Sequence, residues 1–374
     1  MKVYLDNNAS TPLDPDVIKE MEPYIKEYYG NPSSGHWLGK KGREAIENSR
    51  NQVAKLIGAK PKEIIFTSGG SESNNHALKG ITFSHREKGN HIITSIIEHP
   101  AVINPCKYLV ERGFEVTYIG VDEYGRVNPK DIEKEITNKT ILVSIMHANN
   151  ETGTIQPIKE ISKICKEKGI YLHTDAAQSI GKVPVDVSEL GVDLLSIAGH
   201  KFHAPKGVGA LYIREGVEVE PLIHGANHEF GQRAGTENVA GIVALGKASQ
   251  IAHENMNKYN KEILRLRDLL HEKLESIANV KLNGHSTERL PNTLNISFVG
   301  IDSVNLLSKL KDIALSTGSA CHDNVKEPSS VLTEMNVPKE LALGAVRFSL
   351  GKFNTENEIN YVLKELEKVI GGRK

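Results

Sequence analysis

Apolar residues recur along this chain with two different periods. Over 16–29 and 39–57 they return every three or four positions with polar faces between them, the spacing of amphipathic helices. Short runs rich in β-branched residues follow at 63–67, 91–95, 115–120, 141–146, 171–174, 193–197 and 209–213. Helical stretches at 101–112, 130–136 and 159–168 separate several of them. Strands alternating with helices predict an α/β fold: a mainly parallel, seven-stranded sheet with helices on both faces. From 238 to 277 the pattern is continuously helical, a bridge between two units. Beyond it, strands at 280–283, 293–298 and 346–350 and helices at 303–311 and 356–370 predict a compact α+β unit. The expected division is a large domain over 16–256 and a small one built from 1–15 and 257–374.

Composition narrows the function classes. With 374 residues the chain has room for one large core and a smaller one. A formal net charge of -1 gives no reason to expect nucleic acid or an anionic membrane as partner. No apolar run approaches the roughly 20 residues that span a bilayer. The opening MKVYLDNNASTP has neither a basic n-region nor an apolar h-region, so the expected compartment is the cytoplasm. Cys106, Cys165 and Cys321 are too few and too scattered for a disulfide framework or a four-ligand zinc site. His224 and His228 lie four apart without further ligands at useful spacing, and no metal is expected.

Candidate chemistry gathers at three predicted strand ends, where open α/β sheets place their ligands. In Thr67-Ser68-Gly69-Gly70-Ser71-Glu72-Ser73-Asn74, paired glycines and serine hydroxyls before a helix suit a phosphate, though a serine-rich helix cap reads the same. In His173-Thr174-Asp175-Ala176-Ala177-Gln178, an Asp inside an apolar stretch needs a cationic or hydrogen-bonding partner. A protonated pyridine nitrogen would serve; so would a helix N-terminus capped by Asp175. In Gly199-His200-Lys201-Phe202-His203, a lysine among small residues suits a Schiff base with an aldehyde, where a solvated loop lysine is the alternative.

Taken in order, these segments resemble the cysteine desulfurase and selenocysteine lyase family, of fold-type I pyridoxal-phosphate (PLP) enzymes. The likeness extends to Leu5-Asp6-Asn7-Asn8-Ala9-Ser10-Thr11-Pro12, Gly30-Asn31-Pro32-Ser33-Ser34, Glu98-His99-Pro100, Asn149-Asn150-Glu151-Thr152-Gly153, Gly235-Thr236-Glu237-Asn238, Ser316-Thr317-Gly318-Ser319-Ala320-Cys321 and Val346-Arg347-Phe348-Ser349-Leu350-Gly351. The resemblance implies that Lys201 holds the cofactor and acts as acid and base at the substrate's Cα. It implies that Asp175 pairs with the ring nitrogen, Gln178 with the ring oxygen, and that His99 stacks on the ring and moves protons. Gly70, Ser71 and His200 would hold the phosphate, with Thr236 reaching over from a second subunit of a homodimer. Asn150, beside the cofactor, and Arg347 would grip the substrate carboxylate. Cys321, in a Ser/Gly/Ala-rich segment, would accept sulfur as a persulfide, leaving alanine; Cys106 and Cys165, in helical patterns, read as core.

The implied substrate is L-cysteine, or L-selenocysteine if the chain is a lyase, with an acceptor protein for the sulfur or selenium. An aminotransferase, or a non-catalytic sulfur-relay or assembly subunit, would share the scaffold. The chain departs from the family pattern at Ala198, where many desulfurases carry a phosphate-binding serine, and at Lys352, where an arginine is usual. His322 and Asp323 resemble a pair in some selenocysteine lyases, whereas Pro100 replaces the aspartate of the mammalian type. A longer C-terminal tail that grips an iron–sulfur scaffold in housekeeping desulfurases is not expected.

Overall fold

The computed structural model describes residues 1–317 and 327–371 with their side chains, and the backbone of Cys321–His322 and Val325–Lys326 between them. Its central sheet contains β1 (Ile64–Thr67), β2 (His91–Ser95), β3 (Glu115–Ile119), β4 (Thr140–Ser144), β5 (Tyr171–Asp175), β6 (Leu194–Ala198) and β7 (Gly209–Ile213). The order is β1-β7-β6-β5-β4-β2-β3. β7 runs antiparallel to both neighbours, and every other pair in the sheet is parallel. The sheet is therefore the mainly parallel one that the strand pattern predicts.

Successive residues on a strand point to opposite faces, and the apolar ones sort accordingly. Ile64, Phe66, Ile93, Val143, Leu195 and Ile197 enter one core; Ile65, Ile92, Leu142, Leu194 and Leu211 enter the other. The longer helices along this part of the chain are α1 (Pro15–Lys26), α2 (Trp37–Leu56), α3 (Gly70–Ser84), α4 (Pro100–Val110), α5 (Pro129–Glu135) and α6 (Ile158–Lys168). Val17 of α1, Ile46 and Val53 of α2 and Ile161 of α6 cover the first face, and Leu78 of α3 and Leu109 of α4 the second. Each such side chain, fully buried, contributes about 1.5–3 kcal/mol. α1 stops at Lys26, short of the expected residue 29, because the Tyr28 N–H turns back to the Pro23 carbonyl ahead of the Gly30-Asn31-Pro32 turn.

Helix α7 (Val239–Ile277) belongs to two cores at once. Ile242, Leu245 and Ala248 pack under the large sheet, while Ile263, Leu266, Leu270 and Leu274 pack in a second cluster. That cluster is floored by β8 (Val280–Asn283), β9 (Thr293–Phe298), β10 (Ser316–Thr317) and β11 (Ala345–Ser349), ordered β10-β11-β9-β8 with antiparallel neighbours. Helices α8 (Ser303–Lys309) and α9 (Glu356–Gly371) flank it. Val3 and Leu5 join this same cluster, and Val3–Tyr4 pairs in parallel with Ile313–Ala314. Among the described residues no helix is long and apolar enough to cross a membrane.

Candidate active site

The loops after β1, β5 and β6 open on a hollow of about 240 Å³. Gly70, Ser71, His99 and Asn150 line it, as do Asp175, Gln178, His200 and Lys201. The arrangement follows from local folding. After β1 the chain turns through Gly69, whose φ of 147° suits glycine, and enters α3 with no side chain capping its start. A β-carbon at Gly70 would stand 3.2 Å from the Ala198 methyl, so α3 begins tight against the end of β6. The free N–H groups of an uncapped helix start favour an anion.

Asp175 ends β5 as a buried carboxylate. Its Oδ2 accepts from Asn74 Nδ2 at 2.7 Å and its Oδ1 from the Ala177 N–H at 2.9 Å. His99 caps α4, its Nδ1 accepting from the Ala101 N–H at 3.1 Å. The neutral ring therefore carries its proton on Nε2. Burial pushes the His99 pKa down, with Lys201 in the same direction and Asp175 against it.

Lys201 lies in the turn after β6 and donates from Nζ to the Asn8 carbonyl at 2.7 Å and the Ala9 carbonyl at 3.0 Å. Burial, and then the Arg347 cation, push its amine down to about 8, against the pull of Asp175 and Asp6. His200 is pushed down to about 4, first by burial and then by the Lys201, Lys206 and Lys182 cations. Its imidazole is thus neutral near pH 7.

Gln178 donates from Nε2 to the Asn8 carbonyl at 2.9 Å and accepts at Oε1 from Lys182 at 2.8 Å. Arg347, from β11, stands beside the hollow. It bonds the Asn150 carbonyl at 3.0 Å and Asp6 at 2.7 Å, and among the described residues its buried Nε has no acceptor. That unused donor suits a carboxylate.

Thr236 is exposed and does not line the hollow of its own chain. The Cys321 side chain falls outside the described residues. Cys106 and Cys165 are buried in the two cores of the large sheet, where burial pushes both thiols up to about 12. Three residues at the site carry no role in the sequence reading: Asn8, Asn74 and Lys182. Asn8 is the hub, receiving Lys201 and Gln178 on its carbonyl and bonding Thr293 at 2.8 Å through Nδ2. Only its place in the 5–12 segment of the family likeness pointed to it.

The hollow fits PLP. An uncapped helix start matches a phosphate, a buried carboxylate matches a ring nitrogen, and an amine of lowered pKa matches an aldehyde. Among the described residues, the buried Asn74 Oδ1 on its wall has no donor of its own.

The description "Aminotransferase class-V" belongs to the family whose profile matches residues 3–362. The chain is 53% identical over 372 residues to the cysteine desulfurase IscS of Dictyoglomus turgidum, covering 99% of this chain and 94% of that one. It is 52% identical to the cysteine desulfurase IscS of Methanosarcina thermophila, covering 98% and 92%. Among solved structures it resembles a NifS-like protein, with TM-score 0.94, 42% identity and full coverage of both chains. It also resembles SspA in complex with cysteine, with TM-score 0.85, 37% identity, and 95% and 100% covered.

Proposed function

The chain belongs to the aminotransferase class-V family and is a PLP-dependent cysteine desulfurase, and on that premise we propose which of its residues carry the reaction. The observation that carries the reading is Lys201, an amine lowered to about 8, opening on the same hollow as the Asp175 carboxylate and the bare start of α3.

Gly70, Ser71 and His200 hold the cofactor phosphate, with Thr236 from a second copy of the chain. Asp175 holds the ring nitrogen and Gln178 the ring oxygen, while the His99 imidazole forms a wall. Bound there, PLP supplies an electron sink for the pair left at the substrate's Cα. Lys201 Nζ takes the Cα proton and later returns one, a transfer suited to an amine poised near neutrality. Arg347 and Asn150 orient the substrate carboxylate. His99, with its Nε2 proton, serves proton transfer at the departing sulfur. The Cys321 thiolate attacks that sulfur: an S–S bond forms, the substrate C–S bond breaks, and its electron pair stays with the three-carbon fragment. Protonated, that fragment leaves as L-alanine, and Cys321 keeps a persulfide for an acceptor protein.

The working unit in this proposal is a homodimer, each chain divided into a large domain over 16–256 and a small one over 1–15 and 257–374. Support comes from α7, which serves both cores, and from Thr236, exposed at the surface.

The test is an assay of PLP-loaded protein with L-cysteine and, separately, L-selenocysteine, measuring alanine. Alanine from cysteine that disappears in Cys321→Ala, with cofactor absorbance retained, is the expected result. Alanine from selenocysteine alone would make the protein a selenocysteine lyase. Undiminished turnover of cysteine in Cys321→Ala would remove the persulfide step.

A further inference from the structure

Lys182 is a buried lysine. It lies seven residues past the end of β5 and is 8% exposed. Its Nζ donates to Gln178 Oε1 at 2.8 Å and to Asn8 Oδ1 at 3.1 Å. Among the described residues no carboxylate pairs with it; Asp14, which lines the same small cavity behind Lys201, is paired with Lys352. Burial pushes its amine well below the ordinary lysine value, with Lys201 and Arg347 adding to the effect. The other titratable groups that feel it are His200 and His203. Burying such a group is costly, so its retention beside an active site calls for a role.

A glutamine amide can present either its carbonyl or its N–H groups to a neighbour, and the two orientations occupy almost the same space. Lys182 removes that freedom. Facing Gln178 as a donor, it draws Oε1 towards itself and turns Nε2 the other way. One Nε2 hydrogen bonds the Asn8 carbonyl, which also receives Lys201, and the second is left for the hollow that Gln178 lines. Asn8 is fixed by the same logic. Its Oδ1 receives Lys182 and, at 3.0 Å, Asn292, so its own amide N–H groups turn to Thr293 and the Asn150 carbonyl.

We propose that Lys182 is a positioning residue, which locks the Gln178 amide with an N–H and not a carbonyl towards the cofactor's ring oxygen. The proposal rests on the reading that PLP occupies the hollow. An N–H there stabilises an ionised ring oxygen, and a carbonyl would oppose it. Lys182 thereby sets the proton affinity of the chromophore without touching it.

The experiment is a pH titration of the visible absorption band of the holoenzyme in wild type, Lys182→Met, Gln178→Leu and the double variant. Lys182→Met should raise the midpoint by about one pH unit, the scale of one hydrogen bond to a charged group. Gln178→Leu should raise it similarly, and the double variant should move no further than either alone. An unchanged midpoint in Lys182→Met overturns the proposal, because a purely structural lysine would leave the band alone. Additive shifts overturn it too, since Lys182 would then act by its own charge and not through Gln178. If Lys182→Met does not fold, Lys182→Arg and Lys182→Gln replace it. A wild-type midpoint in the first with a raised one in the second supports the proposal, and equal midpoints overturn it. Failure of the wild type to develop a visible band with PLP would instead remove the cofactor reading itself.

Discussion

Asn74 Nδ2 lies 2.7 Å from Asp175 Oδ2, so the N-terminal part of α3 steadies the carboxylate that ends β5. Both side chains are buried, and the bond joins segments 101 positions apart. Asp175→Asn should keep the fold and lower alanine formation from cysteine by about 10²–10³-fold, the effect of removing one preorganised charge. Asn74→Ala should act more mildly, weakening cofactor affinity by about tenfold through the lost charged hydrogen bond. Equilibrium dialysis against PLP and an alanine assay separate the two; wild-type values in both would remove the pair from the mechanism.

Lys201 gives a prediction with a sign. Its amine is pushed down to about 8, so it is protonated below that pH and carries a free lone pair above it. Attack on an aldehyde needs the lone pair. The rate at which apo protein takes up PLP should therefore climb by about one log unit per pH unit up to about pH 8 and then level off. Lys201→Ala should bind the cofactor without covalent attachment, so that borohydride treatment leaves no added mass on the chain.

The thiols should divide sharply. Cys106 and Cys165 are buried with pKa values pushed up to about 12, and thiolate is the reactive form. Iodoacetamide at neutral pH should label Cys321 and spare both of them until denaturant is added. Peptide mass mapping before and after unfolding reads the result, and early labelling of Cys106 or Cys165 would contradict their burial.

Stability has a test remote from the chemistry. Arg50 bonds Glu229 twice, at 2.8 and 2.9 Å, with both side chains 3% exposed, and Glu229 also receives the Phe66 N–H at 2.7 Å. Breaking the pair leaves the buried Arg50 cation only the exposed Glu47 carboxylate, 3.1 Å from its Nε. Glu229→Gln should cost about 3–5 kcal/mol in urea unfolding. Replacing both partners together should cost less than the sum of the single changes.

The fold was legible wherever an element carries its own period. The seven central strands lie close to their expected bounds because each is a short, mostly apolar or β-branched run whose alternate positions enter separate cores. The short pairings escaped notice: Val3–Tyr4 and Ile313–Ala314 hold two residues each, too few for any period. At the site, Asp175 and Lys201 could be read because one ends a strand and the other lies in the turn just after one, where ligands gather. Asn8 and Lys182 could not. Asn8 acts through partners between 142 and 341 positions away, and nothing local announces them. A lysine in a Ser-Ile-Gly-Lys turn reads as solvated, since lysines are rarely buried alone.

The meeting of residues 6–8 with residues 347–349 bears on when the enzyme comes alive. Asn7 and Asn8 bond Ser349, and Asp6 holds Arg347, across more than 340 positions of chain. A nascent chain leaving the ribosome has made Asp175 and Lys201 long before Ser349. Until then the Asn8 carbonyl that receives Lys201 has no β11 to anchor it. Assembly of the catalytic centre thereby waits for β11: a chain that has not yet made Arg347 and Ser349 holds Asp175 and Lys201 without the anchored segment that receives Lys201.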